Sequence, residues 1–139
     1  MLYDALPEAD EPTPADLEAA YAAELGAVVD EHGRETVADA SGVPAETLAA
    51  FQSGEVADAT VSDAAAVLAV DGPDADVVVA EVRDDLMMGL STAILDVDTV
   101  AVEIDSELDG REVRQALEGQ IRLRLDELAA IQSLIRSRE

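Results

Sequence analysis

The chain contains no cysteine, no tryptophan and no lysine. Without thiols there is no disulfide, no thiolate nucleophile, no iron–sulfur cluster and no cysteine-based zinc site. The aromatics are Tyr3, Tyr21 and Phe51, so a core must be built from aliphatic side chains. His32 is the one histidine and the sole imidazole base. A Ser–His–Asp set would have to use it, and no Gly-x-Ser-x-Gly turn accompanies it. Its place in the last helical turn before Gly33 suits a cation at the negative end of a helix dipole. The phosphate-binding patterns Gly-x-x-x-x-Gly-Lys and Gly-x-Gly-x-x-Gly are missing. Asp71-Gly72-Pro73-Asp74-Ala75-Asp76 has its glycine in the wrong place for a calcium loop and lacks the closing glutamate. The longest apolar-leaning run, 86–95, is about half of what a membrane span needs. Met1–Asp10 is acidic and lacks the basic and apolar regions of a secretory signal. These absences lead us to expect a soluble, cytoplasmic protein that is not an enzyme and has no catalytic residues, no cofactor, no metal and no membrane contact.

What is abundant is negative charge. Thirty-two Asp and Glu stand against eight cations, all of them Arg, for a net charge of −24 over 139 residues. Such a charge often accompanies disorder, but 49% of residues are hydrophobic and the mean hydropathy is +0.09, so a core can form. A carboxylate surface is tolerated in molar salt, where the Debye length falls to about 3 Å and self-repulsion is screened. Mimicry of nucleic-acid phosphate and an acidic face for a basic partner are the competing explanations. The composition resembles that of cytoplasmic proteins of halophilic archaea.

Periodicity and caps predict an all-α protein of about eight helices. Residues 1–13, with Pro7 and Pro12, read as an N-terminal arm docked through Leu2 and Tyr3. Thr13-Pro14-Ala15-Asp16 starts a helix, with Leu17, Tyr21, Leu25, Val28 and His32 on one face. A short helix over 35–41 stops at Gly42. Another opens at Pro44, points Leu48 and Phe51 inward and stops at Gly54. Thr60-Val61-Ser62-Asp63 caps the next. Asp71-Gly72-Pro73-Asp74 is the clearest break. Residues 75–95 then form a long helix, apolar enough from Leu86 onward to be placed centrally and buried on several sides. Asp98 caps a short helix from Thr99 to Ser106. Asp109-Gly110-Arg111-Glu112 caps one ended by Gly119, and Leu125, Leu128, Ile131 and Ile135 line the last.

The two stretches 14–70 and 71–139 follow one plan, an internal repeat. Gly26 matches Gly89 and Thr36-Val37-Ala38 matches Thr99-Val100-Ala101 at an offset of 63, Ala65-Ala66 matches Ala129-Ala130 at 64, and Gly54 matches Gly119 at 65. A unit of this size with an Ala-rich core would be marginal alone, so the two should pack as one compact body. Residues 35–70, with Ala38 in the first helix, Gly42-Val43 at the turn and Gly54 closing the second helix, resemble the phage-repressor (Cro-like) helix-turn-helix. Residues 99–134 resemble it more loosely, through Ala101. The whole chain, with its Met-Leu-Tyr-Asp start and Leu95-Asp96-Val97-Asp98-Thr99 stretch, resembles an uncharacterised halophilic-archaeal family of unknown function.

The resemblance implies that residues opening the second helix of each unit would read DNA. In the first unit these are Pro44, Ala45, Glu46, Thr47 and Ala49, none of them basic. In the second, Arg111 and Arg114 lie beside Gln115, with Arg122 and Arg124 following. Residues 111–124 form the clearly positive window of the chain. Arg and Gln can bond guanine and adenine edges, but phosphate attraction falls steeply with salt. The same arginines can instead pair with neighbouring carboxylates. The expectation is a non-enzymatic interaction or accessory module contacting an unknown protein through Arg111, Arg114, Gln115, Arg122 and Arg124 or through a Met87/Met88 face. The alternative is a DNA-binding regulator, and a homodimer is compatible with either.

Overall fold

A computed structural model describes residue 2 and residues 11–56, 58–104, 108–120 and 122–138. It is all-α, with helices α1 (Pro14–His32), α2 (Arg34–Ser41), α3 (Ala45–Gln52), α4 (Val61–Leu68), α5 (Ala75–Thr92), α6 (Val97–Glu103), α7 (Gly110–Leu117) and α8 (Leu125–Arg138). The starts follow the sequence signals. Thr13 with Asp16, Thr60 with Asp63 and Asp109 with Glu112 form reciprocal capping boxes on α1, α4 and α7. These satisfy backbone donors that have no partner within the helix. Glu127 does the same for α8, accepting from the Arg124 N–H at 3.0 Å.

α1 packs along α3 and α8 and also touches α2 and α4, while α4 packs along α5 and α6 along α7. The connections entering α4 and α8 are joined. The Val61 N–H donates to the Leu123 carbonyl at 2.8 Å and the Leu125 N–H to the Ala59 carbonyl at 2.9 Å, forming an antiparallel bridge between Thr60 and Arg124. The bridged residues are 64 positions apart and each precedes its own helix. The core runs through all eight helices and is aliphatic apart from Tyr21 and Phe51. Its polar members among the described residues are Glu127 and Gln132. Tyr21 donates its hydroxyl to Gln132 Oε1, and the Gln132 amide donates to the Leu2 carbonyl at 3.3 Å. Burial pushes the Tyr21 phenol far above its ordinary range, which keeps it a neutral donor. Leu2 is fully buried, and Ser133 donates to the Pro12 carbonyl at 2.8 Å, so both ends of the expected arm lie against the body. Tyr3 and Pro7 lie outside the described residues.

Two details differ from the sequence expectations. First, α5 is not buried on several sides. Only Val78, Val82, Leu86 and Leu90 are buried, on one stripe, whereas Met87, Met88 and Val77 face solvent. Asp76, Glu81, Asp84 and Asp85 lie off that stripe and keep the rest of the helix in water. The apolar residues beyond Leu86 do not make a second buried face. Second, α6 begins two residues earlier than expected, at Val97. Its cap is Asp96, whose carboxylate accepts from the Thr99 N–H at 2.7 Å. Gly26 and Gly89 have different neighbours. A Cβ on Gly26 would face the Phe51 carbonyl on α3, and one on Gly89 would face Ile135 on α8.

Candidate functional site

Five of the eight arginines are engaged within the fold. Arg34 donates through Nε and Nη2 to Gln52 Oε1, whose amide in turn donates to Asp30 at 2.6 Å. Arg83 Nε donates to the Leu117 carbonyl at 2.9 Å. Arg124 makes a two-pronged contact with Asp126, both bonds 3.0 Å, which holds its guanidinium more firmly charged. Arg138 pairs with Glu103 at 3.1 Å, and Arg136 is also engaged. Arg111, Arg114 and Arg122 are exposed and form no hydrogen bond or ion pair with a described residue.

The proposed contact residues therefore divide. Arg111 and Arg114 project from α7 into solvent, and Gln115 is half-buried beside them. Arg122 lies in the connection to α8, and Arg124 is committed to Asp126. The N-terminal turn of α7, the part that would approach base edges, carries the Asp109–Glu112 capping box. Asp98 of α6 lies so close that a Cβ at Gly110 would collide with its carboxylate. That end of the helix is acidic.

A second feature was missed in the sequence. A cleft of about 340 Å³ opens between α5 and α7, with the first turn of α4 also bordering it. Val61, Val79, Val82, Leu86, Ala116 and Leu123 form apolar walls, and Ser62, Arg83, Gln120 and Arg122 supply its polar groups. Gly119 leaves room for Arg83 to cross, since a Cβ there would lie 2.8 Å from Nη1.

His32 ends α1 as expected. Its Nε2 lies 2.5 Å from Asp71 and 4.0 Å from Glu31, joining the α4–α5 turn to the end of α1. These three residues could offer ligand atoms within 4.8 Å of one another, all on half-buried or exposed groups. No described helix is long and apolar enough to cross a membrane.

The family of unknown function DUF5791 matches residues 17–138, from the second turn of α1 to the last residue of α8. The chain belongs to this family. In terms of DUF5791, the match includes α7, the cleft and the Thr60–Arg124 bridge, so the geometry above lies inside the family's own span. Neither a curated protein nor a solved structure matches the chain.

Proposed function

We propose that this DUF5791 chain is a small, soluble, cytoplasmic, non-enzymatic module that contacts another protein through α7, in a salt-rich cell of the halophilic-archaeal type. One observation carries the reading. On a surface where carboxylates outnumber arginines four to one, Arg111 and Arg114 stand on one exposed helix with no partner among the described residues. Arg124 and Arg138, by contrast, pair with Asp126 and Glu103. Arginine is favoured at protein interfaces because its planar fork bonds carboxylates and carbonyls and is weakly hydrated. In this reading the helix-turn-helix resemblance reflects how α2–α4 and α6–α8 are built, as two copies of one unit, and not a DNA-reading role. Asp98, Asp109 and Glu112 around the start of α7 would repel phosphate where a reading helix must approach it.

The test is recovery of partners from a molar-KCl extract by the wild-type chain and by Arg111→Ala/Arg114→Ala, alongside selection from a pool of DNA fragments. The expected result is a protein recovered by the wild type and lost by the variant, with helical circular dichroism unchanged. Enrichment of a shared DNA sequence that the variant loses would replace this reading with the regulator alternative.

A further inference from the structure

We propose that the cleft between α5 and α7 binds an organic carboxylate with an apolar body, the headgroup lying between Arg83 and Arg122 and the body lying on Val79, Val82, Leu86 and Leu123. The inference goes beyond the protein-contact reading and does not use Arg111 or Arg114, so either can fail alone.

The first argument is the lining. On a chain with 32 carboxylates and eight arginines, the described residues bordering this space include two arginines and no Asp or Glu. Among the described residues, the fold places cations here without a carboxylate on the lining. A ligand anion would supply it, and an apolar site with a few convergent polar groups is how small-molecule sites are generally built. The volume, about 340 Å³, lies at the lower end of such sites, which favours a small ligand.

The second argument is the state of Arg83. Its Nε is already bound to the Leu117 carbonyl at the C-terminus of α7. The Nη groups, four of the five guanidinium donors, remain for a ligand. The side chain is half-buried and fixed by that bond, so little rotamer freedom is left to lose on binding. Arg122, which also borders the cleft, is exposed and has no bonded partner among the described residues. A carboxylate accepts guanidinium donors in pairs, which gives both strength and orientation. Ser62 lies at the second position of α4, where a backbone N–H has no intrahelical acceptor, and adds a hydroxyl donor to the same end. A half-buried guanidinium against apolar walls is screened less by salt than an exposed one. The site can therefore work in brine, where contacts to phosphate on an open surface would not.

The third argument is how α5 and α7 meet. α1 lies directly on α3 with Ala22 and Phe51 buried, and the groove beside that pair is the more open one. Here Arg83 and Ala116 border the gap, and α5 touches α7 only sparsely. A long cation and a small wall residue together make space with charge at its edge.

The probe is octanoate, titrated into the full chain in molar KCl and followed by amide chemical shifts. Octanamide supplies the same body without charge, and inorganic phosphate supplies charge without a body. Saturable shifts at Val79, Val82, Arg83, Leu86, Gly119 and Arg122 are expected with octanoate. Octanamide should bind about tenfold more weakly or less, the size of one charge-assisted contact, and phosphate should not shift these residues. Arg122→Gln, at an exposed position, should keep the fold and weaken octanoate about tenfold. Arg83→Gln should weaken it further, and Ala116→Phe should abolish it. Equal affinity for octanoate and octanamide, binding unaffected by Arg122→Gln, saturation by phosphate alone, or shifts spread outside the cleft would each overturn the proposal. So would the absence of saturation.

Discussion

α1 against α3 and α5 against α7 are two helix pairs built to different closeness. In the first, Gly26 lets α1 approach the Phe51 carbonyl, Ala22 and Phe51 are buried, and the space beside the pair, about 370 Å³, is an open groove along its outside. In the second, Arg83 and Ala116 border the gap, and the helices stand apart around a cleft. The difference shows how one fold can pack one helix pair tightly and leave another pair apart.

The largest test of that contrast is Phe51→Ala. Truncating a fully buried aromatic typically costs about 3–5 kcal/mol, so urea unfolding in molar KCl should show a loss in that range. A loss below about 1 kcal/mol would mean that the first half is no better filled than the second. Next is Gly26→Ala. The new Cβ would come within 3.0 Å of the Phe51 carbonyl, which is backbone and cannot move aside cheaply. Gly89→Ala meets only the Ile135 side chain, at 3.1 Å. The first should cost about 1–3 kcal/mol and the second clearly less, measured by paired thermal melts.

The helix ends sharpen the comparison. α3, α5 and α7 all close with the same pair of bonds, from the residue after the cap and the one beyond it back into the last turn. The left-handed residue this requires is Gly54 on α3 and Gly119 on α7, but Ile94 on α5, with φ of 56° and 91% exposure. An exposed β-branched side chain gains nothing there to offset its steric cost. Ile94→Gly should stabilise the protein by about 1 kcal/mol, read from the denaturation midpoint. Unchanged or lowered stability would mean that Ile94 is held by contacts beyond those described.

The smallest effect is acid-linked. The Thr99 N–H bonded to Asp96 holds its carboxyl below the ordinary value. Because the folded value is the lower one, the bond stabilises the fold fully above the unfolded aspartate range. That contribution is lost as pH falls through the folded value. Asp96→Asn should therefore reduce the acid sensitivity of α6 amide exchange without changing that of α4, which is capped by Thr60. Glu18 has the opposite sign. Burial, then Asp126, raises its pKa, so its ionisation disfavours the fold as pH rises through the folded value.

Most of the helices were legible because their boundaries are chemical. Thr13, Thr60 and Asp109 cap, Gly42, Gly54 and Gly119 stop, and four-residue spacing marks the faces. α5 was misplaced because hydropathy summed along a helix does not say how many of its faces are covered; Met87 and Met88 are apolar and exposed. Arg111 and Arg114 were legible as an exposed basic pair, since acidic composition makes an arginine window conspicuous. The cleft was not, because it arises from the distance between α5 and α7, which no local pattern encodes. Gln132 was likewise invisible as a core residue until Tyr21 and Leu2 were brought to it across the fold.

The most direct measurement is the stability of Ala116→Phe by urea unfolding in molar KCl. If the second half is open at this position, the added ring enters existing space, and stability should stay within about 1 kcal/mol of wild type or rise. A loss of several kcal/mol, like that expected for Phe51→Ala, would show that α5 and α7 are already closed on one another and would contradict the account.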